Sequence, residues 1–227
     1  MPHIDTIILD ITKTMLGSFL GAGLAFFSNY VFRQSQKEEE QVAAGNVAMA
    51  MLAEMTIAFL VYKRGVIDSR NKTRGVTADL PDWGQLLPIV YEFDESLEVN
   101  IQSLAFLFKN QNTSAMGRVF GAQSNYKSLV YFQKEHYEVM TEIQAKLSLL
   151  TYDPNAQTDL DYSTREIPKY LLGRIEAINA LILRALKEDE PHYINAIASL
   201  RADLSSHLGS NRIIEISIPD EWKDLKI

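Results

Sequence analysis

The chain has 227 residues, 47% of them hydrophobic, with no cysteine and a formal net charge of −7 at pH 7. The acidic balance argues against non-specific nucleic-acid binding, which needs a positive field. The missing cysteines exclude disulfides, a thiolate metal site and a thiol nucleophile.

Thr14 to Phe32 run for nineteen residues without a charge, between Lys13 and Arg33. At roughly 1.5 Å rise per residue, such a helix spans a hydrocarbon core of about 30 Å. Ser18, Ser28 and Asn29 lower its apolarity, which leaves a buried helix of a soluble domain as the competing reading, but the run lacks the polar face of a surface helix. A cleaved signal peptide fits less well. The N-terminal residues include Asp5 and Asp10, and the charged stretch QSQKEEEQ follows with no small-residue cleavage site before it. A retained membrane helix is therefore expected. Gly17, Gly21 and Ala25 recur at four-residue steps, and Asn29 extends the stripe, so two copies of the helix can approach closely along this face. The expectation is a homo-oligomer in the lipid bilayer, although small residues are common in membrane helices generally.

The polar stretch from Arg33 to Gln41 consists of good helix formers and carries the helix out into water. Val42 to Tyr62 then allows two readings. As an amphipathic helix it buries a stripe of Met51, Leu52, Met55, Phe59 and Tyr62 and leaves Asn46, Ala50 and Glu54 on a narrower one. As a second membrane crossing it makes residues 14–62 a hairpin and puts Asn46 and Glu54 inside the bilayer, where an acid marks an ion path or a partner. Burying that acid is costly, so the single-pass reading is preferred. In either reading Lys63, Arg64, Arg70, Lys72 and Arg74 lie on the cytoplasmic side, with the bulk of the chain. The basic run would touch anionic headgroups in the hairpin, and would stand roughly 55 Å from the bilayer on a straight single-pass helix.

Further along, RGVTADLPDWG reads as a loop and LLPIVYEF as part of a short helix. Another helix is expected from about Asp94, with Leu97, Ile101, Leu104, Ala105 and Phe108 on one face. A long helix follows from about Ala115 to Leu150. Tyr152 to Tyr162 reads as a loop, and Ser163 with Glu166 as a capping box. The next helix carries Leu171, Leu172, Ile175, Ile178, Ile182 and Leu186, with Pro168 near its first turn. A last helix uses Ile194, Ile197, Leu200, Leu204 and Leu208 and stops at Gly209. In the tail, Ile214, Ile216 and Ile218 alternate with Glu215 and Ser217, the pattern of a half-buried strand. It either lies against the bundle or offers an edge to another chain.

The anchor, the charged junction, AAGNVAMAMLAEMTIAFLVYKRGVI and SLAFLFKNQNTSAMGRVFGAQSNYKSL together resemble uncharacterised bacterial membrane-anchored helical proteins. The resemblance covers about half the chain and includes the polar residues Asn46, Gln123 and Tyr126. It implies no activity, only that Val42 to Tyr62 is a cytoplasmic helix.

Metal sites and nucleophiles find little support. A carboxylate-bridged bundle needs Glu-x-x-His pairs, but Gln133 stands where His136 would need an acid, and Pro191 interrupts Asp189 to His192. No Walker A or G-x-S-x-G motif occurs. Arg201 to His207 resembles the Arg-x(4–6)-His element of the HEPN ribonucleases, which implies action on an RNA phosphate. Against it, a six-residue step sets the two side chains about 240° apart on one helix.

The expectation is an all-α protein of the bacterial inner membrane. Residues 1–41 form the N-terminal transmembrane helix and its junction, 42–209 a cytoplasmic helical bundle, and 210–227 a short extended C-terminal tail. Its expected role is a non-enzymatic scaffold with no cofactor and no nucleic-acid partner. Gly17, Gly21, Ala25 and Asn29 serve as the membrane-helix contact, and Ile214, Ile216 and Ile218 as the edge for a cytoplasmic protein. A membrane-active effector built on the 14–62 hairpin is the alternative.

Overall fold

The computed structural model describes residues 3–76, 86, 89, 91–110, 114–148 and 167–219. The described residues are helical or irregular, with no strand among them. Four α-helices, α1 (His3–Val76), α2 (Ser114–Ser148), α3 (Lys169–Glu188) and α4 (Glu190–Leu208), are accompanied by two 3-10 helices, η1 (Ile101–Asn110) before α2 and η2 (Ser210–Arg212) after α4.

α1 has 74 residues, about 110 Å at the standard rise. Its second half belongs to the bundle. Met49, Leu52, Met55, Phe59, Tyr62 and Val66 recur every three or four residues and are all buried, which is the signature of one helical face against a core. The amphipathic reading of Val42 to Tyr62 thus describes this segment. The hairpin does not form: the backbone stays helical through residues 33–41, where a turn would be required.

α4 runs antiparallel to α1. Leu204 packs at Gly45, Tyr193 stacks on Phe59 with centroids 4.9 Å apart, and Glu190 meets Lys63. The two helices approach closely at Gly45, where a Cβ would lie 2.7 Å from Leu204 Cδ2. α2 is antiparallel to both α3 and α4, with Glu142 at Tyr170, Glu135 at Arg174 and Arg118 at Ser199. α3 and α4 therefore follow one another along α2, broken only at Asp189. The break has a local cause: Pro191 lacks an N–H, and its ring clashes with the carbonyl one turn earlier. The core is continuous along the bundle, with Leu171, Ile175, Ile182 and Leu186 of α3 and Leu200 and Leu204 of α4 fully buried.

The segment before α2 departs from expectation. Ile89 and Tyr91 to Phe93 are not helical, and the helix expected from Asp94 starts only at Ile101, as a 3-10 helix. Side-chain hydrogen bonds compete with the helix here. Asp94 Oδ1 accepts from both the amide (2.8 Å) and the hydroxyl (2.6 Å) of Ser96, and Asn100 Oδ1 accepts from the Gln102 amide at 3.0 Å. α2 holds the segment in place. The Val99 amide donates to Gln123 Oε1, the Tyr126 hydroxyl donates to the Asp94 carbonyl and Gln133 donates to the Ile89 carbonyl. Tyr91 and Phe93 join Tyr62 and Tyr126 in an aromatic cluster.

Pro168 occupies the N-cap of α3, next to its first turn. The expected loop 152–162 and the capping box at Ser163 and Glu166 lie outside the described residues. α4 ends at Gly209, whose φ of 92° suits only glycine and whose amide donates to the Ser205 carbonyl at 3.0 Å.

Candidate functional site

α1 has two apolar runs, and burial separates them. One stretch of α1 is long and apolar enough to cross a membrane, with a mean hydropathy of 1.7 in its most apolar window. The core helix of a soluble domain passes that test too, and half of the window is buried. The preceding run is different in kind. Leu20, Leu24, Phe26, Phe27, Tyr30, Val31 and Phe32 are all exposed, Phe26 by 77% and Phe32 by 68%. At 100° per residue, Leu20, Leu24, Phe27 and Val31 make one face, Tyr30 and Phe26 lie about 90° and about 130° to one side of it, and Phe32 about 110° to the other.

Ser18, Gly21, Ala22, Ala25 and Asn29 share the opposite face, which Phe32 joins at the end of the run. A Cβ at Gly21 or Gly23 would meet nothing within 4 Å, so no part of the described bundle covers this segment. Gly17 lies on the same helical stripe, but its surroundings are outside the described residues.

Where α1 enters the bundle, polar contacts tie it to the end of the chain. Glu38 pairs with Arg212 at 3.4 Å. The Asn46 side chain donates to the Arg212 carbonyl at 3.1 Å and accepts from the Ile214 amide at 2.9 Å. Ile213 is buried, Ile216 and Ile218 pack on the core, and Ile214 stays 39% exposed. Ile216 and Ile218 line an apolar groove of about 170 Å³ with Ala53, Thr56, Ile57, Leu60 and Ile197. The three alternating isoleucines therefore divide their roles: two face the bundle and one faces solvent. Arg201, which pairs with Glu215 at 3.1 Å, adds a further tie to this segment.

Other residues singled out in the sequence are placed separately. Asn46 holds the tail, and Glu54 is exposed on the bundle half of α1, so the hairpin's intramembrane polar pair is not formed. Arg201 binds Glu215 and His207 stacks on Phe106, so both groups of the HEPN-like element are engaged within the fold. Among the described residues no group of three His, Asp or Glu gathers as a metal cluster.

Two buried polar features were not legible in the sequence. Lys63, first of the basic run, is only 5% exposed, and its Nζ lies 2.6 Å from Glu190 Oε2. The pair sits beside the Pro191 break, and the Tyr193 hydroxyl nearby is buried with no hydrogen-bond partner among the described residues. His136 is buried between α2 and α3. Burial lowers its pKa below the ordinary 6.5, against smaller opposing contributions from the Leu86 carbonyl and the Asn179 side chain.

The unfolded chain therefore binds this proton more readily than the folded one. The contribution of His136 to stability is complete above about pH 6.5, falls as acid takes the pH below that value, and levels off once the folded form is protonated as well. Urea unfolding at about pH 7.5 and about pH 5 is expected to give a smaller loss of stability in His136→Leu than in wild type.

A polar concavity of about 360 Å³ lies between α2 and α4, lined by Ser114, Gly117, Arg118, Gly121, His192 and Asn195. Arg118 donates to the Ser199 hydroxyl and pairs with no carboxylate among the described residues. A Cβ at Gly117 or Gly121 would meet nothing within 4 Å, so packing within the chain does not require glycine at either position. Each glycine costs the helix about 1 kcal/mol relative to alanine.

Comparison with known proteins returns no matching family model, no matching curated protein and no matching solved structure.

Proposed function

We propose that this protein is a membrane-anchored, non-enzymatic helical scaffold of the bacterial inner membrane. The first apolar run of α1 crosses the bilayer, and the bundle stands in the cytoplasm, where it engages a protein partner. The observation that carries this reading is the change in environment along one unbroken helix. Seven large apolar residues between Leu20 and Phe32 are exposed around most of the circumference, whereas the next apolar run is core. A helix that packs on one partner needs one apolar face. A helix apolar on most faces suits lipid.

The face carrying Gly21, Ala25 and Asn29, with Gly17 on the same stripe, is the contact between copies. The effector alternative gains no support from the geometry, since it needs the 14–62 hairpin and Glu54 within the bilayer.

The absence of native cysteine makes the test simple. Ala25→Cys in native membranes is expected to give a disulfide-linked dimer on oxidation, Leu24→Cys far less, and Gly21→Leu added to Ala25→Cys is expected to reduce the product. Equal crosslinking from positions 24 and 25 would remove the proposed face, and no crosslinking from either would remove self-association through this helix.

A further inference from the structure

We infer that the concavity between α2 and α4 is a binding site for a small phosphorylated ligand, a role beyond that of a scaffold. Its donors converge from two helices: Arg118 and Ser114 from α2, His192 and Asn195 from α4. An arginine without a carboxylate partner, surrounded by a hydroxyl, an amide and an imidazole, matches an oxyanion with several acceptor oxygens better than it matches an apolar guest. The protein is acidic overall, and four of the described arginines, Arg174, Arg184, Arg201 and Arg212, are paired with acids. Arg118 instead turns to Ser199, a neutral hydroxyl that an anion can displace or share.

Volume and glycines say something about the rest of the ligand. About 360 Å³ is within the range of small-molecule sites and far more than a bare phosphate needs. Gly117 and Gly121 are one turn apart on the wall formed by α2 and leave its backbone bare there. Internal packing gives no reason for either, whereas an organic group lying along the helix does.

Position excludes one source of phosphate, and this step rests on the anchor reading above. Tyr193, next to His192, stacks on Phe59, which is twenty-seven residues beyond Phe32 on the same helix. At the helical rise that is about 40 Å from the end of the apolar run. The headgroups of the protein's own bilayer do not reach the site, so the ligand comes from solution.

The test is isothermal titration of the full chain in alkyl maltoside micelles, which contain no phosphate, with inorganic phosphate, glycerol 3-phosphate and acetate as probes. Saturable binding of both phosphate probes is expected, with the ester the tighter and acetate weak. Arg118→Met, at an exposed position, is expected to weaken phosphate binding about tenfold or more, the loss typical of a charge-assisted hydrogen bond. Gly121→Ala is expected to raise the melting temperature while weakening the ester more than inorganic phosphate, a split that a purely structural role for the glycine does not produce. No saturable binding, or equal binding by wild type and Arg118→Met, overturns the proposal. Acetate binding as tight as phosphate overturns the ligand class. None of these outcomes depends on whether the first helix crosses a membrane, so failure here and failure of the anchor reading are separable.

Discussion

Lys63→Ala is expected to destabilise the bundle by about 3–5 kcal/mol, the usual cost of removing one partner from a buried ion pair. The lysine is 5% exposed and its partner's side chain only 17% exposed, so Glu190 would be left charged with little access to water. It sits at the start of α4, next to the Pro191 break, where α3 and α4 separate. The pair itself need not be strongly stabilising, because desolvation offsets most of its attraction. The double variant Lys63→Met, Glu190→Leu is accordingly expected to recover most of the loss. Urea unfolding of the wild type, the two single variants and the double variant checks this. If Lys63→Ala costs less than about 1 kcal/mol, as is typical of a solvated pair, the contact is not the buried one described.

The second large effect separates the two halves of α1. Leu52 is fully buried, and Leu52→Ala is expected to cost about 2–5 kcal/mol through lost transfer energy and the cavity left behind. Leu24 is 67% exposed, and Leu24→Ala is expected to change bundle unfolding by less than about 0.5 kcal/mol. A charge reverses the order of severity in membrane retention: Leu24→Asp is expected to release protein from the membrane fraction while leaving the fold intact. Unfolding and fractionation measured on the same variants check both halves. A Leu24 variant that unfolds the bundle would mean that the first apolar run packs on it.

Periodicity made the helical parts of the fold legible. The stripe from Leu52 to Tyr62, the long helix α2, the α3 face and the stop at Gly209 follow from three- and four-residue spacing or from one glycine's backbone freedom. On α4 the spacing found Ile197, Leu200 and Leu204, but Ile194 is 37% exposed and Tyr193 is buried instead. Continuity between the two apolar runs was the harder question. Length and flanking charge passed both as membrane spans, and only packing distinguishes them: Met49, Leu52 and Met55 are buried in the core, while Leu20, Leu24 and Phe27 are exposed. Residues 94–100 were misread because apolar spacing ignores side-chain competition, and Asp94 and Asn100 bind nearby amides that an α-helix would need. Lys63 was grouped with a basic run on the cytoplasmic side because its partner is 127 positions away, and no local pattern carries that information. The α2–α4 concavity was hidden for the same reason: Arg118 and His192 line one concavity only because two helices pack together, and glycines inside α2 read as ordinary helix weakening.

The measurement closest to the central claim uses single cysteines at Thr6, Ser35 and Glu54, each probed in intact cells with a membrane-impermeant maleimide and again after lysis. One crossing, with the bundle in the cytoplasm, predicts labelling of position 6 alone in intact cells and of all three after lysis. Labelling of position 35 with position 6 protected, or recovery of the protein in the soluble fraction, would contradict it.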